Sequence, residues 1–198
     1  MGPVTARPWV LLALVSCAGA TPAPQAPKSC AQQAVTISIL SSQAINPTPA
    51  GQPRPVVVRV YQLKNDARLY NAQFEQIWHD DKVTLGEDLV NVDEVTLYPA
   101  TRVDVKFDRP PLVEHVAAIA LFQDPKGRSW FSSFDLPSPP EAGKCDESAC
   151  DGPDDDDCKA RMALTPHYAF WIDGSKVDDG VEHLDDFPAA GPMKKRGP

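Results

Sequence analysis

The sequence predicts an all-β fold, an antiparallel β-sandwich of about seven to eight strands with a short helical addition. Three observations point there. Apolar residues recur at period two in several short runs, the pattern of strands with one buried face. The chain of 198 residues carries 21 prolines against 11 glycines, which interrupts it too often for long helices and favours strands joined by turns. A single stretch, Tyr70 to Trp78, has helical apolar spacing. A coiled coil is thereby excluded.

The elements follow in order. Val35, Ile37 and Ile39 alternate with polar residues and form one face of a first strand. Residues 41–55 hold four prolines and Gly51 without an apolar run, so a long irregular loop follows. Val56 to Leu63 reads as a central strand, with Val56, Val58 and Val60 on one face and Val57, Arg59, Tyr61 and Leu63 on the other. Tyr70, Phe74, Ile77 and Trp78 fall at i, i+4, i+7 and i+8, one stripe of a short helix lying across a sheet, with Asn71 as N-cap of its last two turns. Leu85-Gly86 with Leu89 continues it as a helical or turn segment. Strands resume at Val92 to Leu97 and at Val103, Val105 and Phe107, with Pro99 and Ala100 turning between them. His115 to Phe122 is nearly continuous in apolar residues, as in a strand buried on both faces. Ser129 to Phe134 is a further strand. Tyr168, Phe170 and Ile172 alternate with Ala169 and Trp171, and Asp173-Gly174 is a hairpin turn leading to Val177.

The N-terminus reads as an export signal. Arg7 precedes the apolar core Trp9 to Val15, too short for the roughly 20 residues that span a bilayer. Leu14-Val15-Ser16-Cys17 then matches the bacterial lipobox, in which cleavage leaves an acylated cysteine first; Cys17 is the expected lipidation site. The alternative is an ordinary signal peptide cut near Ala18 to Ala20. Three acyl chains hold a lipoprotein stably where one is marginal. Ala18, in place of an aspartate, resembles lipoproteins forwarded to the outer membrane. Pro22, Pro24 and Pro27 stiffen the following tether. The expected organisation is a signal peptide over 1–16, a lipidated N-terminus and linker over 17–34, a sandwich domain over 35–184 with an acidic insertion at 136–161, and a tail over 185–198.

The remaining cysteines, Cys30, Cys145, Cys150 and Cys158, are even in number and belong to an oxidising compartment, so two disulfides are expected, with three connectivities open. A zinc site from Cys145, Cys150, Cys158 and His167 is the rival reading; it lacks a CxxC pair. The formal net charge of -8 argues against nucleic acid, whose binding requires clustered Lys and Arg. The acidity concentrates after Asp135. Asp154 to Asp157 suggest calcium, but the spacing fails the EF-hand pattern and a solvated acidic loop is expected. Enzyme motifs such as GxSxG, HExxH and GxGxxG do not occur, and His79, His115 and His167 have no nucleophile beside them in sequence. Neither catalysis, a cofactor nor a small-molecule substrate is expected. Trp78, Trp130 and Trp171 are read as core rather than as a sugar platform.

At the long loop the sequence resembles a family. Asn46-Pro47, Gly51 and Pro55-Val-Val-Val-Arg59-Val-Tyr61-Gln62-Leu63, then Phe74 and Trp78, Leu85-Gly86, Leu97 with Pro99, Phe122 and Trp130, are similar in order to the type VI secretion outer-membrane lipoproteins, the TssJ (VasD/SciN) family. The resemblance spans about Val35 to Phe134, with a weaker echo at Trp171 to Val177. It implies a transthyretin-like sandwich, tethered by lipid to the outer membrane and facing the periplasm. It also implies binding to the periplasmic C-terminal domain of the inner-membrane TssM-type protein through the loop between the first two strands. Here that loop comprises Asn46, Pro47, Thr48, Pro49, Gly51, Gln52, Arg54 and Pro55. The insertion and the basic end, Lys194-Lys195-Arg196, depart from the family pattern. The other class of function open to the sequence is a lipoprotein module binding a glycan or calcium.

Overall fold

The computed structural model describes residues 32–137 and 165–187 together with Gly2. Among these residues eight strands form two four-stranded sheets that pack as a sandwich. The strands are β1 Ala34–Ser41, β2 Val56–Leu63, β3 Leu89–Leu97, β4 Arg102–Asp108, β5 His115–Ala120, β6 Phe131–Asp135, β7 His167–Asp173 and β8 Lys176–Asp179. One sheet runs β4-β1-β7-β8 and the other β3-β2-β5-β6. The all-β sandwich and its strand count match the sequence expectation. One pairing departs from antiparallel: β1 and β7 run parallel, Thr36 beside His167 through Ser41 beside Ile172. Parallel neighbours need a long connection, and more than a hundred residues separate these two strands.

The period-two pattern builds the core. Val35, Ile37 and Ile39 of β1 and Val56, Val58 and Val60 of β2 are buried in a single apolar cluster. In β5, Ala118 and Ala120 lie beside Val60 and Val58, whereas Ala117 and Ile119 lie beside Tyr61 and Arg59 on the opposite face. Both sets are buried, as the continuous apolar run predicted. A helical layer covers that second face. Leu40 and Ala169 are buried outside the central cluster, on the outer face of the first sheet, where the chain after β8 folds back. His183 stacks on Trp171 with ring centroids 3.9 Å apart, and Arg102 donates to the Phe187 carbonyl at 2.8 Å. Gly180 permits this return: a Cβ there would sit 2.7 Å from the carbonyl carbon of Phe170.

The helical addition differs from the expected single helix. Two helices form, α1 over Ala67–Asn71 and α2 over Phe74–Leu85, because Ala72 is extended at ψ 153° and breaks the stripe. Asn71 is not an N-cap; its amide closes α1 on the Ala67 carbonyl at 2.8 Å. Gln73 caps α2 through a reciprocal capping box with Gln76. Tyr70 and Trp78 consequently remain half exposed, while Phe74, Ile77 and Leu85 are buried. A kink at Asp80 aims Asp81 at the sheet, where it accepts from the Tyr61 hydroxyl at 2.6 Å and pairs with Arg59 at 3.3 Å. Burial, and after it the Asp81 hydrogen bond, push the Tyr61 hydroxyl well above its usual range, so it remains a donor.

Pro99 and Ala100 turn the chain as expected, but between sheets. Ala100 takes φ 54°, and the crossover is held by Ser41, whose hydroxyl donates to the Tyr98 carbonyl at 2.7 Å and accepts from the Thr101 amide at 3.0 Å. Trp130 lies just before β6 rather than within it, buried against Phe74 and Phe131 at ring separations of 5.6 and 4.6 Å.

Candidate functional site

The loop between β1 and β2 is a braced projection. Ile45 is fully buried and anchors its root. Asn46 follows in the left-handed region at φ 44°, with its side chain turned inward and only 8% exposed. Its amide donates to the Pro55 carbonyl at 3.0 Å and its carbonyl oxygen accepts from the Gln123 amide at 3.0 Å. Its backbone amide donates to the Gly174 carbonyl at 2.7 Å. One residue therefore ties both ends of the loop to the β5–β6 and β7–β8 connections. Higher up, the Thr48 amide donates to the Gln52 carbonyl and the Gly51 amide to the Thr48 carbonyl, both at 2.8 Å. Gly51 supplies φ 78°, a conformation that β-carbons disfavour. Pro49 through Pro53 form the exposed tip. Arg54 donates to the Gln123 side chain.

Pro47, Thr48 and Pro49 form one wall of an open groove of about 340 Å3, with Gln123, Asp124, Lys126 and Ser175 forming the other. Pro47, Thr48 and Pro49 belong to the loop expected between the first two strands, whereas the second wall lies some seventy or more positions downstream. Asp173-Gly174 was the available signal. The expected hairpin forms, with Asp173 paired to Lys176, and places Ser175 at this groove.

The chain enters β1 at the other end of that strand. β1 begins at Ala34, eight residues and about 25 Å from the loop at ~3.3 Å per residue. There Arg109 is buried, 4% exposed. It donates to the Val113 carbonyl at 2.9 Å, the Gln33 side chain at 2.8 Å and the Pro137 carbonyl at 2.6 Å. Burial lowers its pKa, the opposing influence of Tyr168 and Glu114 being smaller. The residue ahead of β1, the β4–β5 connection and the segment after β6 are thus held by one guanidinium. Cys17, Cys30, Cys145, Cys150, Cys158 and Asp154 to Asp157 lie outside the described residues.

Other chemistry-bearing residues do not join the loop. The tryptophans share no platform: Trp78 rides on α2 outside one sheet, Trp171 lies on the outer face of the other, and Trp130 is buried. His167 does have a hydroxyl beside it, which the sequence did not reveal: its Nε2 lies 2.7 Å from the fully buried Ser38. Ser38 gives its hydrogen to Asp104 at 2.7 Å, so Nε2 carries the hydrogen toward Oγ. That is the reverse of the arrangement that activates a serine nucleophile. Burial would raise the Asp104 pKa, but hydrogen bonds from Arg102 and Ser38 outweigh it and hold the carboxyl below its usual range.

The His167 imidazole has a pKa below 6.5, chiefly from burial and secondly from Arg102. Above pH 6.5 the imidazole is neutral folded and unfolded; below it the unfolded chain takes the proton first. Stability contributed here is therefore complete above 6.5 and declines as pH falls through the lower folded value. Denaturation between about pH 7.5 and 5.5 should show this decline, and His167→Gln should flatten it.

The family model described as Type VI secretion lipoprotein, VasD, EvfM, TssJ matches residues 33–163. No curated protein matches the chain. The crystal structure of the type VI lipoprotein TssJ1 from Pseudomonas aeruginosa is similar at a TM-score of 0.56 and 21% identity, over 75% of this chain and 95% of that one. Serratia marcescens Lip, a membrane-bound component of the type VI secretion system, is similar at 0.59 and 22%, over 74% and 96%. A chain in the structure of the type VI TssM C-terminal domain from EAEC is similar at 0.53 and 21%, over 74% and 97%. These likenesses establish the fold.

Proposed function

Since this chain belongs to the type VI secretion lipoprotein family, we propose that it is a structural subunit of that system's membrane complex, anchored in the outer membrane through acylated Cys17 and facing the periplasm. Its partner is the periplasmic C-terminal domain of a TssM-type inner-membrane protein, held by the loop of Asn46 to Pro55. The observation that carries this reading is the polarity of β1. The tether enters at Gln33 and Ala34, and the projecting loop leaves after Ser41, at the opposite end of the same strand. Tension between lipid and partner therefore runs along a strand flanked by β4 and β7, whose ladders resist it together. The similarity to a chain in the TssM C-terminal domain structure supports the partner assignment.

The test combines membrane fractionation with co-purification. The full chain should sediment with the outer membrane and retain the TssM-type domain through affinity purification, whereas Cys17→Ser should leave the outer membrane yet still bind that domain. Retention of Cys17→Ser in the outer-membrane fraction defeats the anchor assignment, and failure of the wild-type chain to retain the domain defeats the partner assignment.

Cys30, Cys145, Cys150 and Cys158 are proposed to form two disulfides in the periplasm. Intact mass before and after reduction should differ by two hydrogens per bridge; an unchanged mass refutes the pairing.

A further inference from the structure

We propose that Asp66, His115 and Asp135 form a binding site for a zinc-class divalent cation that fastens the helical addition to the end of the sheet. The three residues come from separate elements. His115 opens β5 and Asp135 closes β6, where the two are cross-strand neighbours. Asp66 precedes α1 as its N-cap residue, yet its carboxylate makes no capping hydrogen bond. One ligand atom from each lies within 4.8 Å of the other two. The His115 Nδ1 is 2.8 Å from Asp135 Oδ1 and 3.7 Å from Asp66 Oδ2. Ligands about 2.0–2.1 Å from a tetrahedral zinc are about 3.3 Å apart, so the two separations bracket the edge the ion requires. A cation replacing the hydrogen on Nδ1 would draw the Asp66 carboxylate inward toward the other two ligands.

The charge and donor set point the same way. Arg59 pairs with Asp81 and Glu94, and Arg68 with Glu87 and Asp88. Among the described residues no Lys or Arg forms an ion pair with Asp66 or Asp135, which converge on one imidazole. Ser133 donates to Asp66 Oδ2 at 3.2 Å and itself contacts the Tyr70 hydroxyl at 3.0 Å, orienting the carboxylate from α1. One nitrogen and two carboxylate oxygens suit zinc, whereas calcium and magnesium take oxygen shells. Asp135 is 87% exposed, leaving a fourth position open to water.

The test is titration of the full chain in mild detergent, disulfides oxidised, with zinc chloride, followed by calorimetry and thermal unfolding. One zinc should bind and raise the unfolding midpoint. Partners in the outer shell alone are worth about 10- to 100-fold in affinity, so His115→Ala should weaken binding by more than about 100-fold. Asp66→Asn preserves shape and should weaken it with an unchanged circular dichroism spectrum. X-ray absorption should show nitrogen and oxygen ligands at about 2.0–2.1 Å without sulfur. Zinc binding unchanged by both substitutions, sulfur in the zinc shell, or calcium binding as well as zinc would overturn the assignment.

Discussion

Replacing Pro49-Ala50-Gly51 by a two-residue Asn-Gly turn is expected to reduce capture of the TssM-type periplasmic domain by about 100-fold or more, with an unfolding midpoint close to that of the wild type. The expected loss corresponds to about 3 kcal/mol, within the range of a hot-spot cluster. The structure separates the two effects. The tip from Pro49 to Pro53 is exposed, whereas the root is held by buried Ile45 and by the three hydrogen bonds of Asn46. Asn-Gly forms the tight turn that preserves the pairing of Thr48 with Gln52. Ordering a free loop on binding costs about 0.5–1.5 kcal/mol per immobilised side chain. Prolines and closed backbone hydrogen bonds remove much of that cost in advance. Surface plasmon resonance with the isolated partner domain measures the affinity, and calorimetry the midpoint. Full affinity in the shortened protein would move the contact away from the tip.

Arg109→Ala is expected to destabilise the domain by several kcal/mol, at about 1–3 kcal/mol for each buried acceptor left without its donor. Its guanidinium meets the Val113 and Pro137 carbonyls and the Gln33 side chain, with one terminal nitrogen unpartnered. Among the described residues no carboxylate forms an ion pair with it, so burial is offset by hydrogen bonds alone and the pKa falls. Removing the side chain leaves three acceptors unpaired where water has little access. Arg109→Lys should recover only part of the loss, because one ammonium cannot reproduce the planar fork. Urea denaturation measures both variants. A change below about 1 kcal/mol for alanine would mean that water replaces the guanidinium freely. The clasp also secures β1, because Gln33 immediately precedes that strand.

How far each feature was legible follows from the range of the interactions that make it. β1, β2, β5 and β7 were readable because alternation at period two, or a fully apolar run, records directly which faces are buried. The helical stripe was misread across Ala72: i, i+4 spacing links Tyr70 to Phe74 whether or not the backbone between them is helical. The capping pair Gln73 and Gln76 was the local signal for the true start. The loop was found through its prolines and Gly51, but Asn46 was grouped with its contact surface when its side chain faces inward. Its inward partners Gln123 and Gly174 are remote in sequence, as is Gln33 from Arg109.

The sequence by itself determined the sandwich class, most strands, the family and the place where the chain projects. Those features are written in nearest neighbours and in the fixed periods of strand and helix. Only the tertiary structure decided that β1 pairs in parallel with β7, that Gln33 and the β1–β2 loop lie at opposite ends of one strand, and that Asp66, His115 and Asp135 meet. Such convergences depend on closing long segments of chain around a shared core. A side chain's local pattern does not specify its distant neighbours.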